Sequence, residues 1–330
     1  MSPRAPPTLT SVRGVLAGHA TDRKESTGAT VVLFPRGARG AVEVRGGAPG
    51  TYHTDGLGAM GSMGMVGALF FAGGSLYGLD AARGVRRFVL SSGGGTRLWG
   101  SHPKLVRITG AVVFDLPRDH PLRADYDELG YRAALAASRK PLEPGLVGAG
   151  TGTAVGKLNG REFSMKGGIG TSAVAVPGGH TLGALVVMNA VGSVVDPATG
   201  AVIAGTRSRE GKGWATREEI LSRWTRARRA TDDRGTVLVT VATDLAVTRW
   251  ELARMARAAN DAVARCVVPA HMATDGDFAV AVTTDLRGPQ WPGGEERPYP
   301  GALADLLGLL TEEAVTNAIT QSVRVSNPAP

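Results

Sequence analysis

Cysteine is nearly missing from this sequence. Cys266 is the only one among 330 residues, which excludes any disulfide within one chain and points to a reducing compartment. Cys266 lies in an apolar helical stretch, where a thiol packs as a small hydrophobe rather than acting as a nucleophile. No run of 18 apolar residues occurs, so no membrane-spanning helix and no membrane partner are expected. Met1-Ser2-Pro3-Arg4-Ala5-Pro6-Pro7 has no apolar core of the kind a secretory signal needs. These absences together predict a soluble, cytoplasmic protein. Aromatic residues are scarce at 5%, yet hydrophobic residues make up 43%, enough for a full core in one large domain or two small ones. His102, His120 and His180 sit in loop-like contexts without metal-ligand spacing, and neither a metal nor an organic cofactor is expected.

Glycine is abundant, with 47 residues, so much of the turn work needs no side chain. The net charge of +8 raises the question of nucleic acid. The densest basic run, Arg223-Trp224-Thr225-Arg226-Ala227-Arg228-Arg229, is flanked by Glu218, Glu219, Asp232 and Asp233. No nucleic-acid motif accompanies it, so it reads as a solvated face and no nucleic-acid partner is expected. Gly148-Ala149-Gly150-Thr151-Gly152 fails as a dinucleotide fingerprint because Thr153 stands at the sixth position and no helix follows. Gly156-Lys157 fails as a phosphate loop, with Thr151 and Leu158 at the positions of the first Gly and the Ser/Thr. Gly73-Gly74-Ser75-Leu76-Tyr77 misses the nucleophile elbow because Tyr77 replaces its last glycine.

Residues 1–25 are expected to form a loose arm and residues 26–330 a single domain. Thr30–Phe34 and Ala41–Val44 read as a hairpin around Arg36-Gly37-Ala38-Arg39-Gly40. Ala68 to Leu90 reads as a helix starting near Gly73-Gly74-Ser75, Val106–Asp115 as a strand and Tyr126–Ser138 as a helix. Three or four strands follow between Val147 and Ala204, broken at Asn159-Gly160, Pro177-Gly178-Gly179 and Pro197-Ala198-Thr199-Gly200. Trp214–Arg229 suits an exposed helical linker. Val237–Thr243 is a strand, and Thr248–Val267 a helix capped by Thr248 and Glu251. Phe278–Thr283 is a strand and Ala302–Ile319 a helix. Helices grouped rather than alternating with strands argue for an α+β fold.

The segment with most chemical content is Arg234-Gly235-Thr236-Val237-Leu238-Val239-Thr240-Val241-Ala242-Thr243-Asp244. A Gly-Thr junction opens a Val-rich, buried-strand pattern. The Thr236 hydroxyl is placed to attack the Gly235 carbonyl, and the freed amine then serves as base for its own hydroxyl. Taken alone, the segment reads better as a strand that happens to begin with Thr. Asn189 stands inside the apolar run Leu185-Val186-Val187-Met188, where a buried amide must find partners. It either bonds backbone at a bulge or donates to an oxyanion, where one donor is worth about 3 kcal/mol. Lys157 is either an exposed lysine or a cation that keeps a nearby amine unprotonated. Asp275-Gly276-Asp277 precedes a strand rather than a helix, which excludes an EF-hand and leaves a turn or a carboxylate pair. His271 is close in sequence, but no triad is needed if the amine is the base.

Together and in order, several segments resemble the L-aminopeptidase/D-esterase family, which includes β-aminopeptidases and nylon-oligomer (6-aminohexanoate oligomer) hydrolase. They are Thr27-Gly28-Ala29-Thr30-Val31-Val32, Arg45-Gly46-Gly47-Ala48-Pro49-Gly50, Ala72-Gly73-Gly74-Ser75-Leu76-Tyr77-Gly78-Leu79 and Val147 to Lys157. Further along come Lys166-Gly167-Gly168-Ile169-Gly170-Thr171, Leu182 to Gly192, Asp196-Pro197-Ala198-Thr199-Gly200, Thr236, Pro269-Ala270-His271 and Asp275-Gly276-Asp277. The resemblance implies a four-layer sandwich of two stacked, mainly antiparallel sheets covered by helices. It implies a precursor cut at Gly235/Thr236 into fragments 1–235 and 236–330, with Thr236 as nucleophile and Asn189 at the oxyanion hole. It also implies Lys157 near the nucleophile, and Asp275 and Asp277 orienting the new amine and hydroxyl. Ser75 and Phe114 are expected to bind substrate. The implied partners are small amides or short peptides and further copies of the chain, as a tetramer of processed heterodimers. Phe114 replaces the family's frequent tyrosine, Val237 replaces a Thr or Ser, and Phe278 a Thr. Two other outcomes are a non-cleaving ligand-binding protein on this fold, or an acyltransferase that passes its acyl group to an amine.

Overall fold

The computed structural model describes every residue except 1–5, 63, 118, 227–233, 288–290, 293–298 and 329–330. The chain begins with β1 (Leu16–Asp22), β2 (Thr27–Val44), β3 (Thr51–Tyr52) and β4 (Met65–Ala72). Next come α1 (Ala81–Ser91), β5 (Ile108–Val112) and α2 (Tyr126–Leu135). A middle stretch of strands follows: β6 (Ala154–Val155), β7 (Met165–Lys166), β8 (Gly168–Val176), β9 (His180–Asn189), β10 (Ser193–Val195) and β11 (Val202–Ala204). The last part holds α3 (Arg217–Arg226), β12 (Thr236–Thr243), α4 (Arg249–Cys266), β13 (Val267–Val268), β14 (Phe278–Thr283) and α5 (Ala302–Ser326).

The main sheet runs β3-β5-β4-β2-β14-β12-β9-β8, with β1 also on β2. Only β4·β5 and β12·β14 are parallel pairs in it. The central strands β4, β5, β9, β12 and β14 are buried on both faces along most or all of their length, which is why they read as continuous apolar runs rather than alternating ones. Val237, Val239 and Val241 of β12 and Ala279 and Ala281 of β14 share a core with Leu252, Met255 and Val263 of α4 and Val315 and Ile319 of α5. The alternate residues Leu238, Phe278, Val280, Leu185 and Val187 meet Val32, Leu69 and Phe71 of β2 and β4 in a second core. On the far side, Val31, Phe70, Ile108 and Val112 pack on Val85, Leu129 and Ala133 of α1 and α2. The order is helices, strands, strands, helices: the expected four-layer α+β sandwich. The two strand layers are joined, because β2 belongs to both: residues 29–33 pair with β4 and residues 39–44 with β14.

Three expectations need correction. The arm over residues 1–25 is, from Pro6 onward, part of the fold: Leu9 is fully buried, and β1 pairs with β2 from Leu16↔Leu33 to Asp22↔Thr27. The hairpin over residues 30–44 is instead the single strand β2. Its Arg36–Gly40 stretch carries a register shift between Leu33 and Ala38, where the strand passes from one layer to the other, and the glycines that read as a turn make that bend. The helix over Ala68 to Leu90 is split. Its first part is β4, whose apolar residues alternate between two cores and so mimic helical spacing, and only Ala81–Ser91 is α-helical. Elsewhere α4 starts with the expected capping box of Thr248 and Glu251. α3 docks through Trp224, whose indole N–H donates to the Leu158 carbonyl at 3.3 Å. The rest of the expected linker, residues 227–229, lies outside the described residues, as do the flanking Asp232 and Asp233.

Phe278 and Val237, two departures from the family pattern, both point into cores. Phe278 is fully buried and meets Phe71 edge-on, with centroids 6.3 Å apart. Phe278→Ala is expected to lower stability by about 3–5 kcal/mol through lost burial and a cavity, as read by denaturant unfolding.

Candidate active site

Thr236 opens β12 directly opposite Asn189, the last residue of β9, and both are buried. The junction before it is held from several sides. The Gly235 carbonyl accepts the Gly276 N–H at 3.0 Å and the Thr236 hydroxyl at 2.5 Å. Gly235 must be glycine, since a Cβ there would lie 2.4 Å from Asp275 Oδ1 and 2.6 Å from the Val191 nitrogen. Lys157, only 3% exposed, directs its ammonium at three oxygens: the Asn189 carbonyl at 2.8 Å, Asn189 Oδ1 at 2.9 Å and the Arg234 carbonyl at 2.9 Å. Asn189 Oδ1 also accepts the Ala154 N–H, and its amide nitrogen donates to the Phe114 carbonyl at 3.2 Å. The Phe114 ring lies under the Arg234 guanidinium, 5.3 Å from its centroid. Ser75, in a left-handed backbone conformation, donates its N–H to the Val113 carbonyl, one residue before Phe114.

The Asp275-Gly276-Asp277 loop is clamped by the end of β2 and the residues after it. Arg45 and Gly46 donate backbone N–H groups to the Asp277 carbonyl, and Ala48 donates to that of Asp275. Gly46 is required for this approach: a Cβ on it would meet the Asp275 carbonyl oxygen at 2.2 Å. Asp277 Oδ1 accepts the Val237 N–H at 2.7 Å. Its Oδ2 accepts from His271 twice, from the backbone N–H at 3.0 Å and from ring Nδ1 at 2.7 Å. Asp275 Oδ2 accepts the Met272 N–H, whereas its buried Oδ1 has no hydrogen-bond partner. Burial, and secondarily the Asp277 charge, push the Asp275 carboxyl up to about 6. Burial alone would lower His271, but its bond to Asp277 outweighs this and holds the imidazole above its ordinary value.

The structure thus gathers Thr236, Gly235, Asn189, Lys157, Asp275, Asp277 and Phe114 at one place, with Ser75 beside it. The Gly276 N–H, the His271–Asp277 pair and the Arg234–Phe114 contact carry no residue pattern that marks them in the sequence. Only the spacing of His271 before Asp277 left any trace. Among the described residues, no group of three or more His, Cys, Asp or Glu gathers as metal ligands.

The fold is that of the N-terminal-nucleophile hydrolases. An L-aminopeptidase D-Ala-esterase/amidase from Ochrobactrum anthropi, described as a variant of that fold, superposes with a TM-score of 0.64. It is 20% identical, covering 100% of this chain and 90% of the other. The chain belongs to peptidase family S58, whose profile matches residues 7–329. An uncharacterized aminopeptidase of Mycobacterium leprae is 35% identical over 96% of this chain and 89% of its own length. A 6-aminohexanoate-oligomer endohydrolase of Paenarthrobacter ureafaciens is 28% identical over 94% of this chain and 84% of its own. The protein is therefore a hydrolase of amide bonds.

Proposed function

We propose that the chain cuts itself between Gly235 and Thr236 and then works as an N-terminal-threonine amide hydrolase. The observation that carries this reading is the Gly235 carbonyl, which receives both the Thr236 hydroxyl and the Gly276 N–H. The hydroxyl oxygen attacks the Gly235 carbonyl carbon, the C–N bond breaks, and the acyl group passes to oxygen as an ester. Water opens the ester, leaving a Gly235 carboxylate and a free Thr236 amine. In the mature enzyme the amine takes the hydroxyl proton as Oγ1 attacks a substrate amide, then gives it to the leaving amine. The acyl-enzyme is hydrolysed and the acid leaves. Gly276 N–H and the Asn189 amide stabilise the oxyanion, a contribution of about 3 kcal/mol per donor. Lys157 holds the segment before the cut and lowers the proton affinity of the new amine. Asp275 and Asp277 orient the new N-terminus.

Substrates are small amides that carry a free amine, either N-terminal amino-acid amides and short peptides or 6-aminohexanoate oligomers. Before the cut, the Arg234 guanidinium covers the Phe114 ring. Afterwards that face is offered to a substrate's ammonium, an attraction worth about 0.5–2 kcal/mol. Denaturing mass measurement of purified protein tests the reading. The 34.0 kDa chain should yield fragments of about 24 and about 10 kDa by proportional length, the smaller starting at Thr236. Thr236→Ala should remain whole. An intact chain in both would favour the non-cleaving, ligand-binding alternative.

A further inference from the structure

His271 has no part in the mechanism above, yet its surroundings define its state. Ring Nδ1 faces Asp277 Oδ2 at 2.7 Å and ring Nε2 faces the Asn260 carbonyl at 3.2 Å. Both neighbours only accept hydrogen bonds, so both ring nitrogens must donate, and only the imidazolium has two N–H groups. His271 also holds a left-handed backbone, with φ 56°, which is unfavourable for a residue with a Cβ. That conformation lets its own N–H reach the same Asp277 oxygen at 3.0 Å. A strained backbone and two donors are thus spent on one carboxylate oxygen. The other oxygen holds the N–H of Val237, the residue after Thr236.

We propose that His271 is a fixed imidazolium that positions Asp277, and through Val237 the start of β12, while cancelling one of the two carboxylate charges beside the Thr236 amine. This rests on the reading of Thr236 as nucleophile. Two bare carboxylates would make the amine more basic and keep it protonated, unable to act as base; the imidazolium removes one of them from that balance. The groups that face His271 are Asp277 from its own loop, the Asn260 carbonyl from α4 and the Arg45 guanidinium beyond β2. Arg45 is itself paired with Asp261 at 2.6 Å, which blunts its repulsion of the imidazolium. Asp275, two residues before Asp277, also feels the His271 charge and adds to what holds the ring charged, while the Lys157 ammonium is engaged with Asn189 and the Arg234 carbonyl.

Two measurements test this. In uncut Thr236→Ala protein with 15N-labelled histidine, the NMR signals of the His271 ring nitrogens at pH 6.5 should be mainly those of the imidazolium; a neutral ring would overturn the proposal. The second measurement uses His271→Asn, because Asn tolerates the left-handed backbone and keeps a neutral donor toward Asp277. With glycine p-nitroanilide as probe, its acid limb of kcat/KM should move up by about one pH unit relative to wild type, with KM little changed. A purely structural His271 would give superimposable profiles, which would sink this inference while leaving the nucleophile in place. A wild type that never cuts would sink the proposed function, and any role of His271 in the reaction with it, whatever the ring's charge.

Discussion

Lys157→Met is expected to slow self-cleavage by at least about 100-fold, so that purified protein is mostly whole. Its ammonium ties β9 to the junction: two bonds go to Asn189 at the end of β9, and one goes to the Arg234 carbonyl, one residue before the proposed Gly235–Thr236 cut. Met fills the space but offers no donor, so the Arg234 carbonyl loses its anchor. A displacement of about 1 Å there costs about 100-fold in rate. The effect on folding should be much smaller. Orphaned acceptors cost about 1–3 kcal/mol each, but the burial of an ammonium, itself a cost of several kcal/mol, is relieved. Melting and cleavage should therefore separate, with a nearly normal Tm and a long-lived precursor. What cleavage remains should yield an enzyme whose activity begins at higher pH, because the cation that lowers the proton affinity of the Thr236 amine is gone. A time course of denaturing mass spectra decides it, and cutting at the wild-type rate would remove Lys157 from the mechanism.

Much of this arrangement was readable in the sequence, and the parts that were not share a cause. β12, α4 with its Thr248/Glu251 box, and β14 follow from local pattern, because each has caps or a run of apolar residues within one element. β2 and β4 do not. The Arg36–Gly40 stretch carries turn-forming residues, and only the neighbouring strands β4 and β14 show that the chain bends there and continues as one strand instead of turning back. The apolar run of β4 serves two cores, so its period says little. At the candidate site, Thr236, Asn189, Lys157, Asp275 and Asp277 stand in an ordered set of motifs spread over about a third of the chain, with nothing in their spacing to bring them together. The Gly276 N–H could not be read at all, since a backbone donor has no residue signature. Phe278 and Val237 looked like changes to the site and proved to be core residues. In a strand, one position decides which face a side chain takes.

Asp275→Asn is expected to stabilise the uncut chain while removing its activity. In the precursor the carboxyl lies against Gly235, with Oδ1 unpartnered and the whole group 2% exposed. Its folded-state value of about 6 stands above the ordinary 3.8, so the native chain holds this proton more tightly than the unfolded one. Stability contributed by the protonated form is therefore present below pH 4 and lost as pH rises to about 6. A rise of that size corresponds to at most about 3 kcal/mol at neutral pH. Asn cannot ionise and escapes the loss. Unfolding of Thr236→Ala and Thr236→Ala/Asp275→Asn, both uncut, should give similar stabilities near pH 4. Above pH 6 the double variant should be more stable by up to about 3 kcal/mol; parallel curves would refute the argument. Cleavage reverses the sign. On the proposed reading, the new Thr236 ammonium would be the partner that Oδ1 lacks, and beside it the ionised carboxylate would become the favoured form. If the chain cuts as proposed, Asp275 opposes the precursor and favours the product, which would let a buried, unpaired carboxylate persist in a fold it weakens.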